Sequence, residues 1–161
     1  MKSYTIEVDG FWTDISKTKV DVEKGVYFVL CATQNDEGEY QLNKLLYIGK
    51  SRDINDRLNG YHHKHADILA WCVWLGGFPV YYSGTIVNEN SDQVSLEDLT
   101  RVESALIYDR DPPLNKTADK KFHHPETYVK LVGVRVGGVR KGLPNGFNGA
   151  PIHLTKDEER S

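Results

Sequence analysis

The stretch "GVYFVLCATQNDEGEYQLNKLLYIG", residues 25–49, holds two apolar segments separated by a polar turn. Residues 26–32 form a nearly continuous run of β-branched and aromatic side chains, which is typical of a strand buried on both faces. Residues 44–49 have a similar composition, and residues 34–43 are polar and contain a glycine. This pattern predicts a central strand over residues 26–32 that forms a β-hairpin with a second strand through a long connection.

Helical patterns occur on the C-terminal side of the hairpin. Ser51 is a plausible N-cap with an acidic residue in the first turn, so we predict a helix over residues 52–63. Residues 66–75 are apolar nearly all round, which predicts a second, buried helix. Apolar residues recur at helical spacing after Ser95, which predicts a third helix that ends before Pro112.

Three further strands are expected. Residues 4–9 alternate apolar and polar side chains, residues 78–87 are rich in β-branched and aromatic residues, and residues 132–136 alternate near the end of the chain. We therefore predict an α+β fold, in which a small central β-sheet is flanked by helices. The expected additions are an N-terminal strand and a basic C-terminal strand and loop.

Size and composition favour one soluble domain. A chain of 161 residues is long enough for one sizeable core, and no apolar run approaches the roughly 18 residues of a membrane span. The start of the chain does not resemble an export signal, so we expect a cytoplasmic protein without membrane contact. Cys31 and Cys72 are too few for a disulfide framework and are predicted to be buried thiols.

The charge of the chain is unevenly distributed. The net charge is −3, which argues against indiscriminate binding to nucleic acid, yet the residues after Asn115 carry nine basic and five acidic side chains. That segment is predicted to contact phosphates, with an ordinary solvated surface as the alternative. The candidate phosphate-binding residues are Lys50, His63, Lys116, Lys120, Lys121, Arg135, Arg140 and Lys141.

Six positions in the right order give the chain a resemblance to a known family. "GVY" at 25–27 and "YIG" at 47–49 lie on successive predicted strands, and Arg57 is followed four residues later by Tyr61. Glu103 stands on a later helix, with Asn115 in the loop after it. At these six positions the chain resembles the GIY-YIG nuclease superfamily, with Val26 in place of the commoner isoleucine.

The resemblance implies a nuclease core with the element order β-β-α-α-β-α over residues 24–116. Residues 1–23 and 117–161 would then be extensions of this single domain. The implied activity is metal-dependent hydrolysis of phosphodiester bonds, most readily in DNA. Cleavage of both strands would require a homodimer or sequential nicking. Because no segment is large enough for a separate recognition domain, specificity would come from the two termini, the loop at residues 33–44 or a partner.

The roles implied for the six positions agree with what phosphodiester hydrolysis needs, namely a base and positive charge near the phosphate. Tyr27 is the implied general base, and Tyr47 or Tyr61 would hydrogen-bond its hydroxyl or the phosphate. The remaining roles are a ligand for Mg²⁺ or Mn²⁺ at Glu103, a phosphate contact at Arg57 and a supporting side chain at Asn115. We expect Arg57 and the metal to lower the pKa of the Tyr27 phenol.

Other features leave alternatives open. His62 or His63 is predicted to support the site or contact phosphate, since the histidines after Gly60 lack the partners of a zinc site. The tryptophans Trp71 and Trp74 are predicted to be core residues and not base-stacking platforms. The rival to the nuclease hypothesis is a module of the same fold that binds nucleic acid or protein without cutting.

Overall fold

A six-stranded mixed β-sheet carries the fold in the computed structural model, which describes residues 1–21, 23–60, 62–115, 121–156 and 158–159. Its strand order is β3-β2-β4-β1-β6-β9. Two small two-stranded sheets are formed by β5 with β10 and by β7 with β8. The strands are β1 (Lys2–Trp12), β2 (Gly25–Gln34), β3 (Tyr40–Ser51), β4 (Phe78–Asn88), β5 (Lys121–Phe122), β6 (Thr127–Gly133), β7 (Arg135–Val136), β8 (Val139–Arg140), β9 (Ile152–Leu154) and β10 (Glu158–Glu159).

Helices cover both faces of the large sheet. They are α1 (Ile54–Asn59), α2 (His65–Leu75) and α3 (Leu96–Arg110), with a 3₁₀ turn at Lys17–Lys19. On one face, α3 packs against a core that includes Phe28 and Ile48. On the other, α1 and α2 cover a second core that includes Tyr27 and Tyr47. The α+β class is therefore confirmed, with a larger sheet than expected.

The predicted hairpin is confirmed. β2 pairs antiparallel with β3 on one side and with β4 on the other, which buries residues 25–32 on both faces. The strand predicted as an N-terminal addition lies inside the sheet, because β1 pairs antiparallel with β4 and parallel with β6. Both predicted buried thiols are confirmed.

The first two helices differ from their predictions. The N-cap of α1 is Asp53, whose side chain accepts from the backbone N–H of Asp56, and not Ser51. The helix ends at Asn59 because Gly60 is extended, four residues earlier than expected. The prediction that α2 is a buried helix is wrong, since only Ile68 and Cys72 of its side chains are fully buried. Ser95 caps α3 as predicted, in a capping box with Asp98.

The segment predicted as one strand over residues 132–136 contains a break. β6 ends at Gly133, and the chain then forms the β7–β8 hairpin through Gly137 and Gly138, both of which have positive φ. Positive φ at both turn positions is the requirement of a type I′ turn and explains the paired glycines. Among the described residues, no helix is long and apolar enough to cross a bilayer.

Candidate active site at the edge of the sheet

Position 49, the last of "YIG", requires a glycine for a steric reason. Tyr27 and Gly49 are directly opposite each other in the β2–β3 ladder, and the Tyr27 ring lies over the backbone of Gly49. A Cβ built at Gly49 would overlap the ring carbons and the hydroxyl oxygen of Tyr27. Gly49 is therefore the residue that lets the Tyr27 hydroxyl reach the edge strand β3.

This contact gives a stability prediction. We expect Gly49→Ala to lower the free energy of unfolding by about 1–3 kcal/mol, because the new methyl group overpacks the Tyr27 ring. Gly142→Ala is the matched control, since a Cβ there meets no atom within 4 Å. Urea unfolding of both variants measures the difference. Equal stability of the two variants would contradict this packing.

Two side chains bind the Tyr27 hydroxyl. Arg57 Nε donates to it from α1 at 3.4 Å, and His62 Nε2 lies 2.9 Å from it. The backbone N–H of Lys64 donates to His62 Nδ1, so a neutral His62 carries its proton on Nε2 and donates to the tyrosine. The Tyr27 oxygen therefore accepts two hydrogen bonds. Its own proton remains available to a third group, and the Tyr47 side chain lies close enough to raise the pKa of Tyr27.

Burial raises the pKa of Tyr27 strongly, and the hydrogen bond and positive charge of Arg57 oppose this effect without overcoming it. The predicted direction of the Arg57 effect on this pKa is confirmed. The joint effect of Arg57 and a metal ion on the Tyr27 pKa stays a prediction. Burial wins because the phenolate loses its hydration when the ring is packed between β3 and α1.

Aromatic rings line the site around Tyr47. Its ring centroid lies 6.1 Å from that of Tyr27 and 5.2 Å from that of His62. His63 is exposed and stacks on His62 at a centroid distance of 5.0 Å. Burial raises the pKa of Tyr47, and the charge of Glu103 raises it further. Glu103 on α3 therefore lies close enough to the β2–β3 hairpin to act on Tyr47 electrostatically.

Glu103 approaches the edge of β3 from the other face of the sheet. Its side chain is only 20% exposed, and the Nζ of Lys50 lies 3.8 Å from its Oε1. Burial raises the pKa of Glu103, while the charges of Lys50 and Arg57 only partly oppose that shift. The carboxylate is therefore short of positive charge, which is the environment in which a bound cation is stabilised.

This donor set fits Mg²⁺ or Mn²⁺ held mainly by water and phosphate. Within the described ranges, no three His, Cys, Asp or Glu side chains form a metal-binding cluster. Mg²⁺ commonly binds through one or two carboxylates and keeps several waters, so Glu103 alone meets its minimum. The donor set does not suit zinc, which needs three or four protein ligands.

Asn115 holds the loop after α3 against β3. Its amide Oδ1 accepts from the backbone N–H of Ile48 at 2.9 Å, and its Nδ2 donates to the Ile48 carbonyl at 2.8 Å. The backbone N–H of Leu114 donates to the Leu46 carbonyl beside it. Asn115 therefore supports the backbone next to Tyr47 through its side-chain amide.

The structure brings some predicted residues together and separates others. Tyr27, Tyr47 and Arg57 lie together at the β3 edge, and Glu103, paired with Lys50, acts on Tyr47 and Arg57 electrostatically. Asn115 and His63 lie beside Tyr47. Three predicted residues lie outside the described part of the chain. They are Tyr61, Lys116 and Lys120.

The other predicted phosphate contacts lie away from this edge. Arg135, Arg140 and Lys141 are on or next to the β7–β8 hairpin, which follows β6. Four strand spacings, roughly 19 Å, separate β6 from β3 in the sheet. Arg140 is also bound by Glu7 at 2.8 Å, and Lys121 is on β5. A single patch of phosphate contacts around the site is therefore not what the structure shows.

His62 is the residue whose direct contact with Tyr27 the sequence did not identify. The sequence left the choice between His62 and His63 open, and the structure buries the first and exposes the second. His62 lies outside α1, which ends at Asn59. Adjacent histidines in the last turn of a predicted helix indicate a possible site, but they do not tell which ring faces inward.

The burial of His62 predicts that the stability of the protein depends on pH. Burial lowers the pKa of His62 from 6.5 to about 4, with help from the charges of His63 and Arg57. The unfolded chain binds a proton that the folded protein does not bind between these pH values, so stability falls as the pH drops through this window. We expect His62→Gln to remove this part of the loss.

Urea unfolding at several pH values measures the effect as a difference between wild type and variant. His153→Gln, at an exposed position on β9, controls for the loss of an imidazole. The wild type should lose stability relative to His62→Gln as the pH falls from 6.5 to about 4. Parallel pH curves for the two proteins would contradict the buried, neutral state of His62.

Comparison of this chain with family models, with curated proteins and with solved structures finds no match.

Proposed function

We propose that this protein is a divalent-metal-dependent endonuclease that hydrolyses phosphodiester bonds of DNA with a GIY-YIG-like core. The observation that carries the proposal is the meeting of Tyr27, Tyr47, Arg57 and Glu103 at one edge of the sheet. These residues come from four different elements. The order β-β-α-α-β-α from β2 to α3 supports the same assignment.

Arg57 is suited to bind the scissile phosphate. The residue is exposed, and only its Nε is engaged by Tyr27. The remaining guanidinium donors can contact non-bridging phosphate oxygens, and a guanidinium keeps its charge at any pH of interest. Arg57 would therefore bind the substrate and hold the Tyr27 hydroxyl at the same time.

Tyr27 is the proposed acceptor of the proton from the attacking water. Two donors, Arg57 Nε and His62 Nε2, point at its oxygen and would stabilise a phenolate. A phenol is protonated at neutral pH and burial reinforces this, so Tyr27 would act as the base only after it has released its own proton to solvent. Mg²⁺ or Mn²⁺ at Glu103 would supply Lewis acidity that stabilises negative charge on the phosphate and lowers the pKa of nearby hydroxyls.

Cleavage of labelled single-stranded and duplex oligonucleotides tests the proposal. We expect products with Mg²⁺ or Mn²⁺, no products with EDTA, and a rate for Arg57→Ala lower by about 10²–10³-fold. Arg110→Ala is the matched control, because Arg110 lies at the C-terminal end of α3 and binds Asp109 and the Asn148 carbonyl. Equal rates for Arg57→Ala and the wild type would refute this site.

The alternative, a module that binds without cutting, is favoured by two observations. Lys50 already neutralises part of the Glu103 charge, and burial raises the pKa of the implied base. This alternative expects binding of the same oligonucleotides in EDTA and no products with any metal. The oligonucleotide assay therefore separates the two functions.

The β7–β8 hairpin is the proposed second contact with the DNA backbone. Arg135 and Lys141 are exposed at it, and the paired glycines at its tip leave Val136 and Val139 exposed as well. We expect Arg135→Ala with Lys141→Ala to weaken binding to all sequences and to reduce the slope of log K against log salt by about 1–2. Lys19→Ala, in the exposed 3₁₀ turn, is the control. An unchanged slope would exclude the hairpin from the interface.

A further inference from the structure

The outward face of α2 is apolar along its whole length. Ala66, Leu69, Ala70, Val73 and Trp74 are all exposed, and their spacing places them on one stripe of the helix. Val73 is 79% exposed, Trp74 is 78% exposed and Leu69 is 37% exposed. Trp74 alone contributes roughly 200 Å² of accessible surface.

A stripe of this kind is unusual on a soluble helix. A helix that is apolar all round is normally buried on all sides, whereas α2 packs only its Ile68 and Cys72 side against β2 and β4. The exposed stripe is comparable with the largest apolar patch of a typical monomer, and such patches often mark interaction sites. No described part of the chain covers it.

The charges beside the stripe are complementary to each other. Lys44, from β3, lies over the Trp71 ring at 5.3 Å, and the Trp71 and Trp74 rings are in edge contact at 5.7 Å. Asp67 precedes Trp71 by one helical turn on the same flank of the stripe. Both charged residues are exposed, and within the described residues neither forms an ion pair.

We propose that two copies of this protein pack their α2 helices antiparallel around a two-fold axis near Ala70. The small side chains of Ala66 and Ala70 allow the helix axes to approach closely. Antiparallel pairing brings the same flank of each helix together in opposite directions. Lys44 of each copy then faces Asp67 of the other.

A second copy explains the face better than a nucleic acid does. One positive and one negative charge flank an apolar stripe, so the surface is complementary to itself, as a two-fold interface requires. A phosphate backbone would meet Asp67 and gain nothing from Leu69 or Val73. The stripe is smaller than a standard interface of about 800 Å² per partner, so the dimer should form at micromolar concentration.

The pairing has a consequence that rests on the proposed nuclease function. His62, which binds Tyr27, lies three residues before the start of α2. Two antiparallel α2 helices, each about 16 Å long, would place the two sites near opposite ends of their contact. A dimer would then carry one site for each strand of a duplex.

Sedimentation equilibrium from low to high micromolar concentration tests the dimer, and its readout does not depend on cleavage. We expect the wild type to dimerise and Val73→Glu to remain monomeric. Val139→Glu, at an exposed valine on the β7–β8 hairpin, is the matched control and should dimerise as the wild type does. Thermal unfolding checks that each variant is folded.

A charge exchange tests the pairing itself. Lys44→Glu and Asp67→Lys should each raise the dimer dissociation constant by at least tenfold, and the double variant should recover most of the loss. A monomeric wild type at all concentrations would overturn the proposal, as would dimerisation of Val73→Glu. It would also be overturned if Trp74→Ala weakened binding to a single-stranded oligonucleotide while leaving the molecular mass unchanged.

Discussion

Glu103→Ala should lower the rate of metal-dependent DNA cleavage by about a thousandfold or more, because it removes the one carboxylate that the described residues bring to the proposed site for Mg²⁺ or Mn²⁺. The fold should not suffer. Burial raises the pKa of Glu103, so its ionised form is unfavourable where it lies, and its loss should leave the unfolding temperature unchanged or higher. Loss of activity with retained stability is thus the expected combination.

Glu97→Ala provides the control for this change. Glu97 lies on the same helix, is 79% exposed and pairs with Arg101 at 3.3 Å. Single-turnover cleavage at saturating Mg²⁺ should be unaffected in this variant. If Glu103→Ala cleaves as fast as Glu97→Ala, the metal does not bind where we place it.

Tyr27→Phe should reduce the cleavage rate by about 10²–10⁴-fold while leaving the affinity for DNA almost unchanged. The reason is that the phenol oxygen is the group on which Arg57 and His62 converge, and phenylalanine keeps the ring packing over Gly49. Because burial raises the pKa of Tyr27, the wild-type rate should still increase with pH at mildly alkaline values.

Tyr81→Phe is the matched control for the loss of a buried phenol. Tyr81 lies on the neighbouring strand β4, and its hydroxyl donates to Asp14 Oδ1 at 2.7 Å. Burial raises the pKa of Tyr81 as well. This variant should lose some stability and no cleavage activity. Equal activity of Tyr27→Phe and Tyr81→Phe would remove Tyr27 from the chemistry.

Much of the fold could be predicted from local patterns, and its assembly could not. The continuous apolar run after Gly25 identified a central strand, and the Ser95 cap identified the start of α3. The position of β1 between β4 and β6 depends on pairing between residues at least 69 positions apart. Alternation within residues 4–9 predicts a strand but carries no information about its neighbours.

The second helix shows where hydrophobicity alone misleads. Residues 66–75 were predicted to be a buried helix because nearly every side chain is apolar. The sheet covers only the side of Ile68 and Cys72, and Trp74 on the other side is exposed. Composition predicts how much surface a helix needs to bury, but it does not say whether its own chain or a second copy provides the cover.

For the candidate site, the sequence predicted residue types better than their environment. The resemblance placed Tyr27, Tyr47, Arg57 and Glu103 in one site, and the structure brings these four side chains to one edge. The direct contact of His62 with Tyr27 depends on where α1 ends. The raised pKa of Tyr27 depends on burial by β3 and α1, and no sequence pattern reports burial of a single hydroxyl.

Nicking of supercoiled plasmid under single-turnover conditions tests the central claim most directly. The proteins to compare are the wild type, Tyr27→Phe, Glu103→Ala and the double variant, each with Mg²⁺ and with EDTA. If these residues form one site, only the wild type with Mg²⁺ nicks efficiently, and the double variant is hardly slower than the slower single variant. A wild type that binds the plasmid without nicking it, or variants that nick at the wild-type rate, would contradict the account.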